Sequence, residues 1–146
     1  MPLLPFSGAT VALLMPMAGV ITQQVRPGHQ AIDISCVEGT PVRAAHDGQG
    51  STRWSRDLGW VFTLNGSAGL QTTYAHLQSG AQAGSFARGD VIGRCGNTGR
   101  LTTGAHLHFG SNQPERLATL APPLPLVPAQ PGLSDPLVVL APKPSP

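Results

Sequence analysis

Between residues 28 and 110 the apolar residues come in short runs separated by glycine-bearing turns, with one proline, Pro41, in the whole stretch. Runs this short suit strands, not helices that bury a face. Residues 19–25, 31–34, 40–45, 59–64, 70–77 and 91–95 read as strands, and so does the stretch Gly104-Ala105-His106-Leu107-His108-Phe109. Glu38-Gly39, Asp47-Gly48-Gln49-Gly50 and Gly96-Asn97-Thr98-Gly99 read as turns, and Asn65-Gly66 as a hairpin signal. Residues 79–85, rich in Gly, Ala and Ser, read as a loop. The expectation is an antiparallel, all-β domain.

A chain of 146 residues suffices for one core. Beyond Phe109 the character changes: nine of the fifteen prolines lie between Pro122 and Pro146. Such a tail cannot continue a sheet, and polyproline segments or a linker are expected there. Within it, residues 135–140 are apolar enough to dock back on the body. The apolar run over residues 9–15 lacks a basic flank, stops at Pro16 and is too short for a bilayer, so it supports neither a signal peptide nor a membrane span. Eight arginines and one lysine are scattered along the chain, so no basic cluster marks a nucleic-acid face. Cys36 and Cys95 could pair in an oxidising compartment. Two cysteines define no disulfide scaffold, however, and free buried thiols are the plainer expectation. Neither belongs to a Cys-x-x-Cys pair, so neither is expected to bind zinc.

Four of the five histidines sit in ordered apolar segments. On a strand, His106 and His108 send both rings to one face and Leu107 to the other. His29 and Asp33 would lie roughly 13 Å apart on a straight strand, too far for one ion, but a bend at Gly28 would place His29 in a turn and Asp33 on the strand. His76 sits in the strand-like run Tyr74-Ala75-His76-Leu77. His46, beside Asp47 and Gly48, reads as a solvated loop residue. A catalytic zinc takes three protein ligands and keeps one position open, so four histidines and Asp33 compete for three places.

In order and setting these motifs resemble one family. His29-x-x-x-Asp33, Gly39-Thr40-Pro41-Val42, Tyr74-Ala75-His76-Leu77, Gly89-Asp90-x-Ile92-Gly93, Gly96-Asn97-Thr98-Gly99 and His106-Leu107-His108-Phe109 are similar to the motifs of the lysostaphin/LytM-type zinc metallopeptidases, bacterial and phage peptidoglycan endopeptidases. The resemblance implies an antiparallel β-sandwich of two sheets with a substrate groove over the larger one. It implies zinc held by His29, Asp33 and His108, with His76 and His106 left as catalytic imidazoles. The implied domain spans residues 19–112, between an N-terminal extension, 1–18, and a Pro-rich tail, 113–146, whose segment 135–140 closes the fold.

The expected function is zinc-dependent hydrolysis of peptide bonds in peptidoglycan cross-links or stem peptides. The expected setting is extracytoplasmic or phage-associated, as a monomer with no nucleic-acid or membrane partner, and with direct cross-links favoured over glycine bridges. Loops such as residues 79–85 are expected to bound the groove. Ala31 and Gly110 stand where the family has glycine and an acidic residue, which bears on the groove wall and not on any ligand. A noncatalytic wall-binding or phage structural relative would have lost ligands, and none is lost. An iron(II) oxygenase would need a His-x-Asp/Glu spacing that is absent.

Overall fold

The strands assemble in a computed structural model that describes residues 11–125. They are β1 (Ile21–Gln23), β2 (Ala31–Ser35), β3 (Pro41–Arg43), β4 (Gly48–Ser55), β5 (Gly59–Asn65), β6 (Gln71–Leu77), β7 (Gly84–Phe86), β8 (Val91–Arg94) and β9 (His106–Ser111). Seven form one antiparallel sheet in the order β1-β2-β9-β6-β5-β4-β7, and β3 pairs with β8 in a second. The only helical pieces among the described residues are two 3-10 turns, Ser67–Gly69 and Pro114–Ala118. No helix among the described residues is long and apolar enough to cross a membrane.

Period-two alternation builds the core. Ile32 and Ile34 of β2, Leu107 and Phe109 of β9 and Phe62 and Leu64 of β5 are buried, and they share one cluster with Val42 of β3 and Ile92 of β8. Burying each such side chain stabilises the fold by about 1.5–3 kcal/mol. Asp33, His106 and His108 alternate with these residues and therefore stand on the opposite face of the large sheet.

Several sequence expectations change. The Asp47–Gly50 stretch is not a turn, because β4 begins at Gly48. Gly50 lies so close under the Phe62 ring that any Cβ would collide with it, which accounts for a glycine inside a strand. Asn65 and Gly66 do join a hairpin, but Asn65 pairs with Gln71, so the loop spans residues 66–70 and is not a two-residue turn. Part of the 79–85 loop becomes β7, on the outer edge of β4.

Cys36 and Cys95 are joined by a disulfide, overturning the expectation of free thiols. Backbone pairing places them: Cys95 accepts from the Gly39 amide and donates to the Thr40 carbonyl, both at 2.8 Å. That pairing, not the 59-residue spacing, brings their Cα atoms to 6.5 Å.

The flanks join the body. Leu13, Leu14 and Met17 are buried, the Leu14 amide donates to Ala45, and Leu14 forms a parallel bridge with Ala121. Leu117, on the Pro114–Ala118 turn, is buried in the same core. No periodicity marks these flanks, since a single apolar side docking on loops has no repeat. The expected closing segment, residues 135–140, lies outside the described residues.

Candidate functional site

His108 of β9 is paired directly with Asp33 of β2 on one side and with Ala75 of β6 on the other. Paired residues project from the same face, so the register alone sets the imidazole beside the carboxylate. His108 Nδ1 lies 3.1 Å from Asp33 Oδ1. His29 reaches the same carboxylate from the preceding turn, where Gly28 adopts a φ of 81° and His29 exchanges two backbone hydrogen bonds with Arg26. Its Nε2 lies 3.6 Å from Asp33 Oδ1, while Nδ1 is held 3.1 Å from the Gln24 carbonyl. Donation to that carbonyl leaves the Nε2 lone pair free toward Asp33.

These three residues fit a metal ion. Their ligand atoms all lie within 4.8 Å of one another. Bonds of about 2.0–2.1 Å at tetrahedral angles place neighbouring ligand atoms roughly 3.3 Å apart, close to the 3.6 and 3.1 Å observed. The donor set of two imidazoles and one carboxylate is one that zinc accepts. Burial raises the Asp33 pKa, but the hydrogen bond from His108 and the charges of His108, His106 and His29 outweigh it and hold the carboxyl below its ordinary value.

His76 reaches the site by a departure from strand geometry. Since Ala75 pairs with His108, an unbroken β6 would send His76 to the core face. Instead the β5–β6 register breaks between Trp60 and Phe62, and His76 takes a φ of 63°. The bulge turns its ring back over His106, with centroids 4.6 Å apart, and within 6.2 Å of His108. His76 Nδ1 donates to the Thr98 carbonyl at 2.7 Å, and the His106 ring holds its Nδ1 2.8 Å from the Gly104 carbonyl. Each ring is thereby fixed as the tautomer with an open Nε2. Burial pushes the His76 pKa down, and the charges of His106 and His108 add to this; the Thr98 hydrogen bond and Asp33 oppose it.

Thr98 is the residue that sequence reasoning passed over as part of a turn. Its hydroxyl donates to the Leu77 carbonyl at 2.6 Å and accepts from the Trp60 amide at 3.2 Å, which fixes the carbonyl that holds His76. The paired signal was Gly59 and Gly99: both have positive φ, and each sits where a Cβ would strike the other's loop.

The five residues line an open cavity of about 340 Å³ walled by Gln23, Arg26, Leu58, Leu101 and Thr103. The 79–85 loop expected to bound the groove lines none of it, because β7 draws that segment to the far edge of the sheet. A larger cavity of about 480 Å³ lies elsewhere, around His46, Arg88 and Arg116. Among the described residues it gathers no metal-ligating cluster, whereas the smaller one holds His29, Asp33 and His108. His46 is not the solvated residue expected; it is buried, with Nδ1 at the Asp47 carbonyl and Nε2 at the Thr72 hydroxyl, 2.8 Å from each.

Known proteins are similar to this chain. The chain is 38% identical to the DD-carboxypeptidase/endopeptidase Mpg of Neisseria meningitidis serogroup B, over 66% of this chain and 24% of that protein, so it spans about a quarter of the relative's length. A zinc-containing peptidase from Vibrio cholerae superposes with a TM-score of 0.64 at 28% identity, covering 69% of this chain and 36% of that one. The catalytic domain of lysostaphin from Staphylococcus simulans superposes with a TM-score of 0.54 at 28% identity, covering 70% of this chain and 77% of that domain. The sequence model described as Peptidase family M23 matches residues 27–118, which hold all five site residues, and by that match the chain belongs to the M23 peptidases.

Proposed function

We propose that this M23 domain is a zinc endopeptidase that hydrolyses peptide bonds in peptidoglycan cross-links, with His29, Asp33 and His108 as ligands and His76 and His106 as catalytic imidazoles. The observation that carries this reading is the pair of open Nε2 atoms: His76 and His106 are each fixed at Nδ1 by a carbonyl, with ring centroids 4.6 Å apart beside the ligand cluster. When bound, zinc lowers the pKa of a coordinated water to about 7 and polarises the scissile carbonyl. His76, buried and kept neutral, and His106 beside it supply the base that takes the nucleophile's proton and the acid that returns one to the departing amine. Whichever ring carries a proton on Nε2 donates that N–H to the charge that develops on the carbonyl oxygen. The open cavity accepts an extended peptide.

A direct cross-link containing D-amino acids is the favoured substrate, a preference that gains support from the carboxypeptidase/endopeptidase name of a 38%-identical relative. Incubating the zinc-loaded chain with walls of both kinds and identifying new termini by mass spectrometry tests it. New amine termini from direct cross-links, lost in His76→Ala and His106→Ala, are expected. Cleavage of pentaglycine bridges alone would overturn the preference, and cleavage of neither wall would overturn the enzymatic reading.

A further inference from the structure

Arg26 stands beside the ligand cluster by backbone geometry. Its amide donates to the His29 carbonyl at 3.0 Å and its carbonyl accepts from the His29 amide at 2.8 Å, with Pro27 and Gly28 at the tip between them. Residues opposed in this way project to one face with Cβ atoms about 4.5–5.5 Å apart. Arg26 accordingly lines the same cavity as His29 and, among the described residues, is its one permanent side-chain cation. Its Nη1 donates to Gln23 Oε1 at 2.7 Å, which steadies the side chain. Among the described residues no carboxylate pairs with it. Asp33, the cavity's one carboxylate, faces His29 and His108. A guanidinium carries five N–H donors in a fork that matches a carboxylate, so most of the Arg26 donors remain for a ligand.

We propose that Arg26 binds a substrate carboxylate next to the scissile bond, making the enzyme selective for acidic peptides. This rests on the peptidase reading above and narrows its substrate class. An internal bond of a polyglycine bridge offers no such group. The carboxylate can come from a free chain end or from the side chain of a stem residue, and the guanidinium reads both alike.

The test uses the zinc-loaded full chain and three synthetic D-alanyl peptides: one with a free C-terminal acid, one amidated, and one amidated but carrying a side-chain carboxylate. Wild-type kcat/KM is expected to be about tenfold higher for one or both acidic peptides than for the neutral one, the size of one charge-assisted hydrogen-bonded contact. Whichever acid is preferred identifies the source. In Arg26→Gln the ratio should fall toward one, with part of it retained in Arg26→Lys. An unchanged ratio in Arg26→Gln overturns the proposal.

A binding readout separates this from failure of the peptidase reading. N-acetyl-D-alanine, and not its methylamide, should shift the Arg26 Nε–Hε signal in an NMR titration whether or not any peptide is cut. No shift with either compound overturns the carboxylate site, whereas a shift without turnover of any peptide upholds it and discards the catalytic reading.

Discussion

The Thr98 carbonyl accepts the Nδ1 proton of His76 at 2.7 Å across 22 residues, from a loop whose own position depends on the Thr98 hydroxyl. One residue therefore ties β6 to the β8–β9 loop twice. Because the His76 backbone sits at a φ of 63°, unusual for a residue with a side chain, such outside support holds the ring where it is.

Thr98→Val keeps the shape and removes the hydroxyl, leaving the Trp60 amide and the Leu77 carbonyl without it. A loss of about 1–3 kcal/mol in stability is expected. Turnover should fall more than zinc content, since the ring displaced is His76 and not a ligand. Chemical denaturation, metal analysis and peptide hydrolysis on the one variant check this; full turnover would show that the loop holds His76 without the hydroxyl.

The two histidines of β9 should separate by phenotype. His108→Ala is expected to lose the bound zinc, whereas His106→Ala should retain most of it and lose about 10²–10⁴-fold in kcat, the usual worth of a positioned acid or base. Metal content and kcat measured together decide the matter. Undiminished zinc in His108→Ala would remove it from the ligand set, and full activity in His106→Ala would remove that ring from catalysis.

A third prediction concerns acid. His46 Nδ1–H donates to the Asp47 carbonyl, and Nε2 lies 2.8 Å from the Thr72 hydroxyl, which is bonded in turn to the Tyr74 hydroxyl, an acceptor of the Ala45 amide. Protonating His46 puts a positive charge into this buried run. Burial, and to a lesser degree Arg116, lowers the His46 pKa from its ordinary 6.5, against the opposing effects of the Asp47 carbonyl and carboxylate. The unfolded chain thus takes up the proton first. The stability contributed by neutral His46 is present above pH 6.5 and is lost as pH falls through the folded-state pKa. Melting curves from pH 8 to 5 should fall more steeply for the wild type than for His46→Gln; parallel curves would sink the idea.

What could be read from the residues follows from which signals are local. The shared face of His106 and His108, and the bend that frees His29, are consequences of period two and of Gly28, and the structure shows both. The antiparallel all-β architecture was legible for the same reason, and its division into two sheets was implied by the family resemblance. The turn of His76 out of the core was not, because the bulge is a register offset between β5 and β6 that neither strand's sequence states alone. Gly50 misled, since a glycine that admits a neighbour's ring looks like one that makes a turn. His46 misled because its partner Thr72 lies 26 residues away. The packing of Leu13, Leu14 and Met17 had no periodic trace.

The cross-link between Cys36 and Cys95 begins one residue after β2, the strand that carries Asp33. In the chain-entropy description, a closure of this length is worth about 4 kcal/mol, and that contribution exists only where thiols stay oxidised. The same polypeptide is therefore two materials: a looser one among reductants such as glutathione, and a tighter one outside them. The stiffness of the strand that carries Asp33 is set partly by the redox surroundings that the folded chain meets.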